Sequence, residues 1–324
     1  MPRLGVVGTL VWDTIHGPVG GEPVSDWGGI AYSLVAWEAA APPGWSVLPI
    51  IKVGADLRGA ADRFLADLDG VSSLEHVRTV TEPNNRVSLF YHDRSRRCER
   101  LTGGVPGWSA ADLQPAALSC DALYVNFISG WEIDRPAAAA IGERFEGPAW
   151  CDVHSLILGV ERDGTRAPRP LEDRAGWLRP FDLVQVNEDE LDVLAPPARD
   201  RQSQLEELLK DGPDAVFLTT GSRGAEWAVR PETRWLPDDV AGTVGAETAP
   251  ELSPARVPDP TGCGDVWGIS CFAALLGGSA VREAVRSANR LAAVAAGEQG
   301  TAGLARALKG AARTATTLEV NEIV

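Results

Sequence analysis

Short continuous apolar runs alternate with longer stretches whose apolar residues recur at helical spacing. The runs Leu4 to Leu10, Val47 to Val53, Ala122 to Ile128, Ala149 to Val153, Leu183 to Val186 and Ala215 to Thr219 suit strands buried on both faces. Between them, Leu57 to Leu68 places Leu57, Ala61, Phe64, Leu65 and Leu68 on one helical face. Ile30 to Ala40, Arg135 to Phe145, Leu171 to Leu178 and Gln202 to Leu209 also read as helices, as do Asp265 to Leu276 and the Ala-rich Ala280 to Glu298. Strand and helix in turn predict an α/β fold: an open, mostly parallel sheet with helices on both faces.

The alternation breaks between about Thr79 and Gly104. Arg86 to Tyr91 and Arg97 to Leu101 read as a hairpin around Asp93-Arg94-Ser95-Arg96, an inserted edge or lid. The glycine-rich stretch Gly17 to Gly29 is a source of partner strands, giving a small β lid from about residues 14–28 and 80–104. Ala225 to Val229 with Arg234 to Leu236 reads as a small antiparallel addition. No repeat interrupts the pattern, so residues 1–324 are expected to form a single domain.

Charge narrows the partners. With 30 Lys and Arg against 45 Asp and Glu, the net charge is −15, which disfavours an extended nucleic-acid or anionic-membrane surface. A small anion can still bind locally, through backbone N–H groups at a helix start. The odd set Cys98, Cys120, Cys151, Cys263 and Cys271 has no CxxC pair and no His at metal-ligand spacing, so free thiols are expected. Met-Pro-Arg leads directly into an apolar strand without a signal-like segment, and the expected location is the cytoplasm.

One stretch carries chemistry. Asp259-Pro260-Thr261-Gly262-Cys263-Gly264-Asp265 sits where a loop enters a helix. Gly262 and Gly264 allow a sharp turn and close approach of a ligand. The first N–H groups of the helix lack intrahelical partners and can converge on a phosphate. An acid at Asp265 can take a proton from an attacking hydroxyl. A glycine turn whose acid merely caps the helix is the competing reading.

The stretch resembles the DTxGAGD-like hallmark of the ribokinase-like (PfkB-type) carbohydrate and nucleoside kinases. Further segments resemble that family in the same order. They are Leu4-Gly-Val-Val-Gly8 leading to Asp13, the Gly28-Gly29 turn, Val53-Gly54-Ala55-Asp56 with Gly59, Asn187 to Glu190, Thr219 to Gly224, and Ala288-Asn289. The resemblance implies ATP-dependent transfer of the γ-phosphoryl group to a hydroxyl of a sugar or sugar-like small molecule. Asp265 would be the general base, with Gly262, Cys263 and Gly264 as the anion hole. Asn187, Thr220, Gly221, Gly224 and Asn289 would bind ATP. Asp13, Gly28, Gly29 and Ser33 would bind the acceptor. Glu190 and Asn187 would organise Mg²⁺ through water, and Asp259 and Thr261 would hold a monovalent cation such as K⁺. A homodimer through the lid is a further implication.

Three positions depart from the family pattern, and the first bears on substrate choice. Ser33 stands where many relatives carry Asn, Cys263 replaces the usual Ala, and Pro260 removes an N–H beside Asp259. A nucleoside kinase, or a kinase-like binding protein without catalysis, are the alternatives. A dinucleotide oxidoreductase is disfavoured, because Gly5-Val-Val-Gly8 lacks GxGxxG, and no Walker loop is present. Trp12, Trp27, Trp131 and Trp267 lie in or beside the site segments, where core packing is the commoner use.

Overall fold

The computed structural model describes residues 1–16, 22–91, 97–195, 200–236, 242–250 and 260–308. Asp259, the hairpin tip Asp93 to Arg96 and Gly17 to Gly21 lie outside the described residues. The chain begins β1 (Arg3–Val7), β2 (Leu10–His16), β3 (Val24–Gly29), α1 (Ile30–Ala40), β4 (Ser46–Gly54), α2 (Arg58–Ala66), β5 (Val77–Val80), β6 (Arg86–Tyr91) and β7 (Arg97–Thr102). It continues through α3 (Ala110–Ala117), β8 (Ala122–Asn126), α4 (Arg135–Arg144), β9 (Ala149–Asp152), β10 (Leu158–Val160), β11 (Arg166–Pro168), α5 (Arg174–Leu178) and β12 (Leu183–Asn187). Then follow α6 (Glu188–Leu194), α7 (Arg201–Leu209), β13 (Ala215–Thr219), β14 (Ala225–Val229), β15 (Val244–Glu247), α8 (Cys263–Leu276) and α9 (Val281–Ala295). A helical segment at 300–308 is last.

Nine strands form the main sheet in the order β15-β14-β13-β12-β9-β8-β1-β4-β5. The seven from β13 to β5 are parallel; at the edge β14 runs opposite to them, and β15 pairs antiparallel with β14. The continuous apolar runs become the sheet interior because alternate residues feed two cores. Leu4, Tyr124, Leu183 and Phe217 face α1, α8 and α9, while Leu123, Val125, Val184 and Val216 face α3, α4, α6 and α7. Trp150 stacks on Phe217 at 5.0 Å, and Trp267 lies 5.9 Å from Phe217, so Trp267 is a core side chain.

A second sheet has the order β3-β2-β6-β7. It is the small β lid expected from the broken alternation, and its central β2–β6 pair is parallel. Asn84 and Asn85, both fully buried, join it to the main body. Asn84 Nδ2 donates to Leu10 O (2.9 Å), its Oδ1 accepts from Gly54 N (3.0 Å), and Asn85 Nδ2 donates to Ser129 Oγ (2.8 Å). Asp56 Oδ1 in turn accepts from Asn84 N at 2.9 Å, so the Val53 to Asp56 segment anchors the lid junction.

Three local expectations change. The run Leu4 to Leu10 is split between two sheets, because the chain leaves β1 at Gly8-Thr9. A Cβ on Gly8 would lie 2.0 Å from Ile30 Cγ2. The helix expected over Leu171 to Leu178 begins only at Arg174, after Asp173 bonds Gly176 N at 3.2 Å. Ahead of it, β10 and β11 form an unanticipated hairpin, whose loop covers the β7 edge through Leu101 N to Gly164 O, 2.8 Å. The antiparallel addition pairs β14 with Val244–Glu247 rather than with Arg234 to Leu236. Thr233 Oγ1 instead closes a turn onto Leu236 O at 2.9 Å.

Candidate active site

The parallel register aligns strand ends. Asn126 lies opposite Asp152, Asp152 opposite Gln185, and Asn187 opposite Thr219. These carboxyl ends meet the start of α8, the place where open α/β sheets hold ligands.

At that start Gly262 has φ 77°, and a Cβ there would lie 2.3 Å from the Tyr32 ring. Only glycine satisfies both limits. No side-chain cap closes α8, and Cys263 N reaches Pro260 O at 3.2 Å. A Cβ on Gly264 would meet nothing nearer than Gln185 Nε2 at 3.9 Å, so the outer face of the turn is open. Thr261 is buried; its expected cation partner Asp259 is outside the described residues.

Asp265 occupies the first turn of α8 and is 9% exposed. Its Oδ1 accepts from Asn126 Nδ2 at 2.6 Å. Ser33 Oγ donates to its backbone carbonyl at 3.3 Å, and Gln185 Nε2 to Gly264 O at 3.0 Å. Ser33, expected at the acceptor, is therefore fully buried beneath the turn. Its short hydroxyl reaches the helix backbone from α1.

Two further carboxylates stand beside Asp265. Asp152 is held well above the usual carboxylate range by burial and then by the charges of Glu190 and Asp265. Glu190 is raised for the same first reason, burial, against which the Asn187 N–H works. Tyr124 Oη donates to Asp152 Oδ2 at 3.4 Å. Asn187 and Glu190 close a capping box: Asn187 Oδ1 accepts from Glu190 N, and Glu190 Oε2 from Asn187 N, each at 2.9 Å. Glu190 Oε1 also accepts from Asn187 Nδ2 at 2.5 Å. His154, at φ 33°, holds its Nδ1 3.9 Å from Glu190 Oε1.

The crowded acids fit a cation, whose charge would relieve their mutual repulsion. Among the described residues, no three His, Cys, Asp or Glu side chains converge to ligate an ion directly. Glu190, Asn187 and Asp152 are neighbouring polar groups here, and would bind such an ion through its water shell.

On the donor side, Thr220 N and Oγ1 both bond Gly224 O, at 2.8 and 3.0 Å. This closes a tight turn at Gly221, whose Cα faces open space. Asn289 accepts from Trp267 Nε1 at 2.8 Å and donates to Glu247 O and Thr248 O at 3.0 and 3.3 Å. Of the residues expected at the acceptor, Asp13 is buried against Gly28, where a Cβ would overlap its Oδ2. Gly29 turns the chain from β3 into α1 at φ 60°. Trp12 and Trp27 meet edge to face at 5.2 Å. In the lid, Arg86 pairs with Asp56 at 2.8 Å and Arg100 with Asp163 at 3.7 Å.

Residues 166–307 match the pfkB family of carbohydrate kinases. Solved structures agree over almost the whole chain. Arabidopsis thaliana ribokinase, complexed with ribose and ATP, superposes with TM-score 0.68 at 19% identity, covering 95% of this chain and 99% of that one. The fold of the chain is ribokinase-like. A putative ribokinase II from E. coli, with ATP and Mg²⁺, gives 0.70 at 16% identity, covering 96% and 98%. A pyrophosphate-dependent kinase of the ribokinase family gives 0.70 at 18% identity, covering 90% and 95%. No curated protein matches significantly by sequence.

Several polar residues of this candidate site carry no legible signal in the sequence. Asn126 and Asp152 end apolar strands, where each reads as a strand terminus. Glu132 is 2% exposed, and accepts from Thr9 Oγ1 at 2.8 Å, Ser129 N at 2.5 Å and Gly130 N at 3.0 Å. It ties the loop after β8 to the β1–β2 turn; burial pushes its carboxyl up, against those donors. Only the Asn84-Asn85 pair, wedged between Pro83 and Arg86, hints at its buried role. A cavity of about 460 Å³ lies elsewhere, lined by Arg179, Lys210, Arg230 and Val244 among others. It is at the opposite ends of the strands and contains none of the candidate residues.

Proposed function

We propose that the protein transfers a terminal phosphoryl group from ATP to a hydroxyl of a sugar or sugar-like acceptor. The observation that carries this reading is a carboxylate, Asp265, fixed in the first turn of a helix that starts without a side-chain cap. The N–H groups of Gly262, Cys263 and Gly264 stabilise charge on the moving phosphoryl group. Asp265 takes the acceptor's proton as the new O–P bond forms. The bond from the γ-phosphorus to the bridging oxygen breaks, and ADP leaves with that electron pair. Thr220, Gly221 and Gly224 line the donor, and Asp13, Gly28 and Gly29 the acceptor. Mg²⁺, held through water by Asn187, Glu190 and Asp152, supplies charge neutralisation for the phosphates when bound. Ser33 acts on the turn from below, so the acceptor's hydroxyls are read by other groups.

A second donor is favoured by one observation. Both Asn289 Nδ2 protons are committed to Glu247 O and Thr248 O, and its Oδ1 accepts from Trp267 Nε1, which leaves no donor for an adenine ring nitrogen. Pyrophosphate, the donor of one structural neighbour, would not need it. The deciding experiment crosses ATP and pyrophosphate with sugars, cyclitols and nucleosides in the presence of Mg²⁺, with product followed by phosphorus NMR. ATP with a sugar is the expected productive pair. Ligand binding without turnover for every pair would replace the kinase reading with a binding protein. A homodimer through the lid is proposed to use the β3 edge, since the β10–β11 loop covers β7; sedimentation of a Val24→Lys variant tests it.

A further inference from the structure

We infer that Asn126 is a positioning residue for the base, fixing the rotation of the Asp265 carboxylate. The inference rests on Asp265 acting as the base. Asn126 is the last residue of β8, fully buried, and reaches Asp265 Oδ1 at 2.6 Å across 139 positions of sequence. Ser33 and Gln185 hold the backbone of the turn, whereas Asn126 holds the carboxylate itself. The flanking Val125 and Phe127 are apolar core residues, so the amide interrupts an otherwise dry strand.

Stability does not account for that amide. Asn126 Oδ1 is buried and has no hydrogen-bond partner among the described residues, and an unsatisfied buried carbonyl destabilises a fold. An apolar residue would suit the core better. The chemistry of the base accounts for it. A neutral N–H donor orients a carboxylate without the strong ion pair that would suppress its proton affinity. A second acid would repel it. An amide on a rigid central strand meets both limits, and a base must be placed within hydrogen-bond reach of the hydroxyl it serves.

The test is a double-mutant cycle in the full chain. Asn126→Leu should lower kcat by about 10²-fold with the acceptor KM unchanged. In an Asp265→Asn background the same substitution should change kcat less than twofold, because the group it positions is gone. Asn126→Asp, of the same shape, should lower kcat at least as far and covers the case in which the leucine variant folds poorly. Near-normal kcat in both single variants, with Asp265→Asn inactive, would overturn the positioning role alone. Equal losses in both backgrounds would also overturn it. An active Asp265→Asn protein would instead remove the base assignment on which the inference stands.

Discussion

The two ends of the parallel sheet treat acidic residues in opposite ways. At the amino ends, Asp121, Asp182 and Asp214 each immediately precede a strand and accept from a neighbouring backbone N–H. Asp121 Oδ2 takes Arg3 N at 2.8 Å, Asp182 Oδ2 takes Ala149 N at 2.8 Å, and Asp214 Oδ2 takes Arg234 N at 2.6 Å. These acids satisfy orphan donors where the ladder begins. At the carboxyl ends, Asp152, Glu190 and Asp265 face one another. No Lys or Arg among the described residues forms a salt bridge with Asp152 or Glu190. The first arrangement completes a fold. The second stores repulsion that a bound cation and a phosphoryl group can use.

The sharpest way to break this contrast is Asp265→Asn. It retains shape and the bond from Asn126 after an amide flip, yet cannot take a proton. Turnover should fall about 10²–10⁴-fold, about 3–5 kcal/mol of barrier, while acceptor affinity by calorimetry stays near that of the parent. Retained turnover would make the carboxyl-end acids structural, like their amino-end counterparts.

Gly262→Ala should act next most strongly, on stability as well as rate. A methyl would enter the Tyr32 ring and the backbone would keep φ 77°, a cost of about 2–3 kcal/mol read by denaturant unfolding. Gly264→Ala, at a helical position with open space beyond its Cα, should leave stability unchanged or raise it by about 0.4–1 kcal/mol. Equal effects at the two glycines would mean that the turn is not built as described.

These examples mark what the sequence discloses. The strand runs were legible because burial on both faces demands unbroken apolar residues, and the Asp259 to Asp265 turn because glycine and acid are spaced for one geometry. Resemblance puts Ser33 at the acceptor, and the structure adds a contact that no sequence signal shows, from its Oγ to the Asp265 carbonyl. Asn126 and Asp152 carry no periodic or glycine signal, since their importance arises from register between β8, β9 and α8. Capping and metal-organising readings of Asn187 and Glu190 use the same residue spacing, and only the neighbouring acids bear on the choice.

A milder probe is Asp152→Asn. Burial and the neighbouring Glu190 and Asp265 charges hold Asp152 above its usual range, so its ionised form opposes folding. A neutral amide should stabilise the ion-free protein at neutral pH, seen as a higher Tm. The further rise in Tm on adding Mg²⁺ should be smaller than in the parent, because less repulsion remains to be relieved. An unchanged Mg²⁺ response would remove Asp152 from the hydrated-ion site.

The smallest effect tests the amino end. Asp182 is raised to about 6, by burial first, while the Ala149 N–H works against the shift. Because its folded value exceeds the ordinary carboxylate value, the folded state holds the proton more tightly than the unfolded chain. Its contribution to stability is complete below about pH 4 and is lost as pH rises through about 6. Asp182→Asn keeps an oxygen for Ala149 N and cannot ionise. The variant should match the parent at pH 4, and exceed it by about 1 kcal/mol at pH 7 in urea unfolding. Its kcat should be unchanged, since the substitution lies at the far end of the strands from Asp265. A loss of turnover here would couple the two ends and undo the division of labour between them.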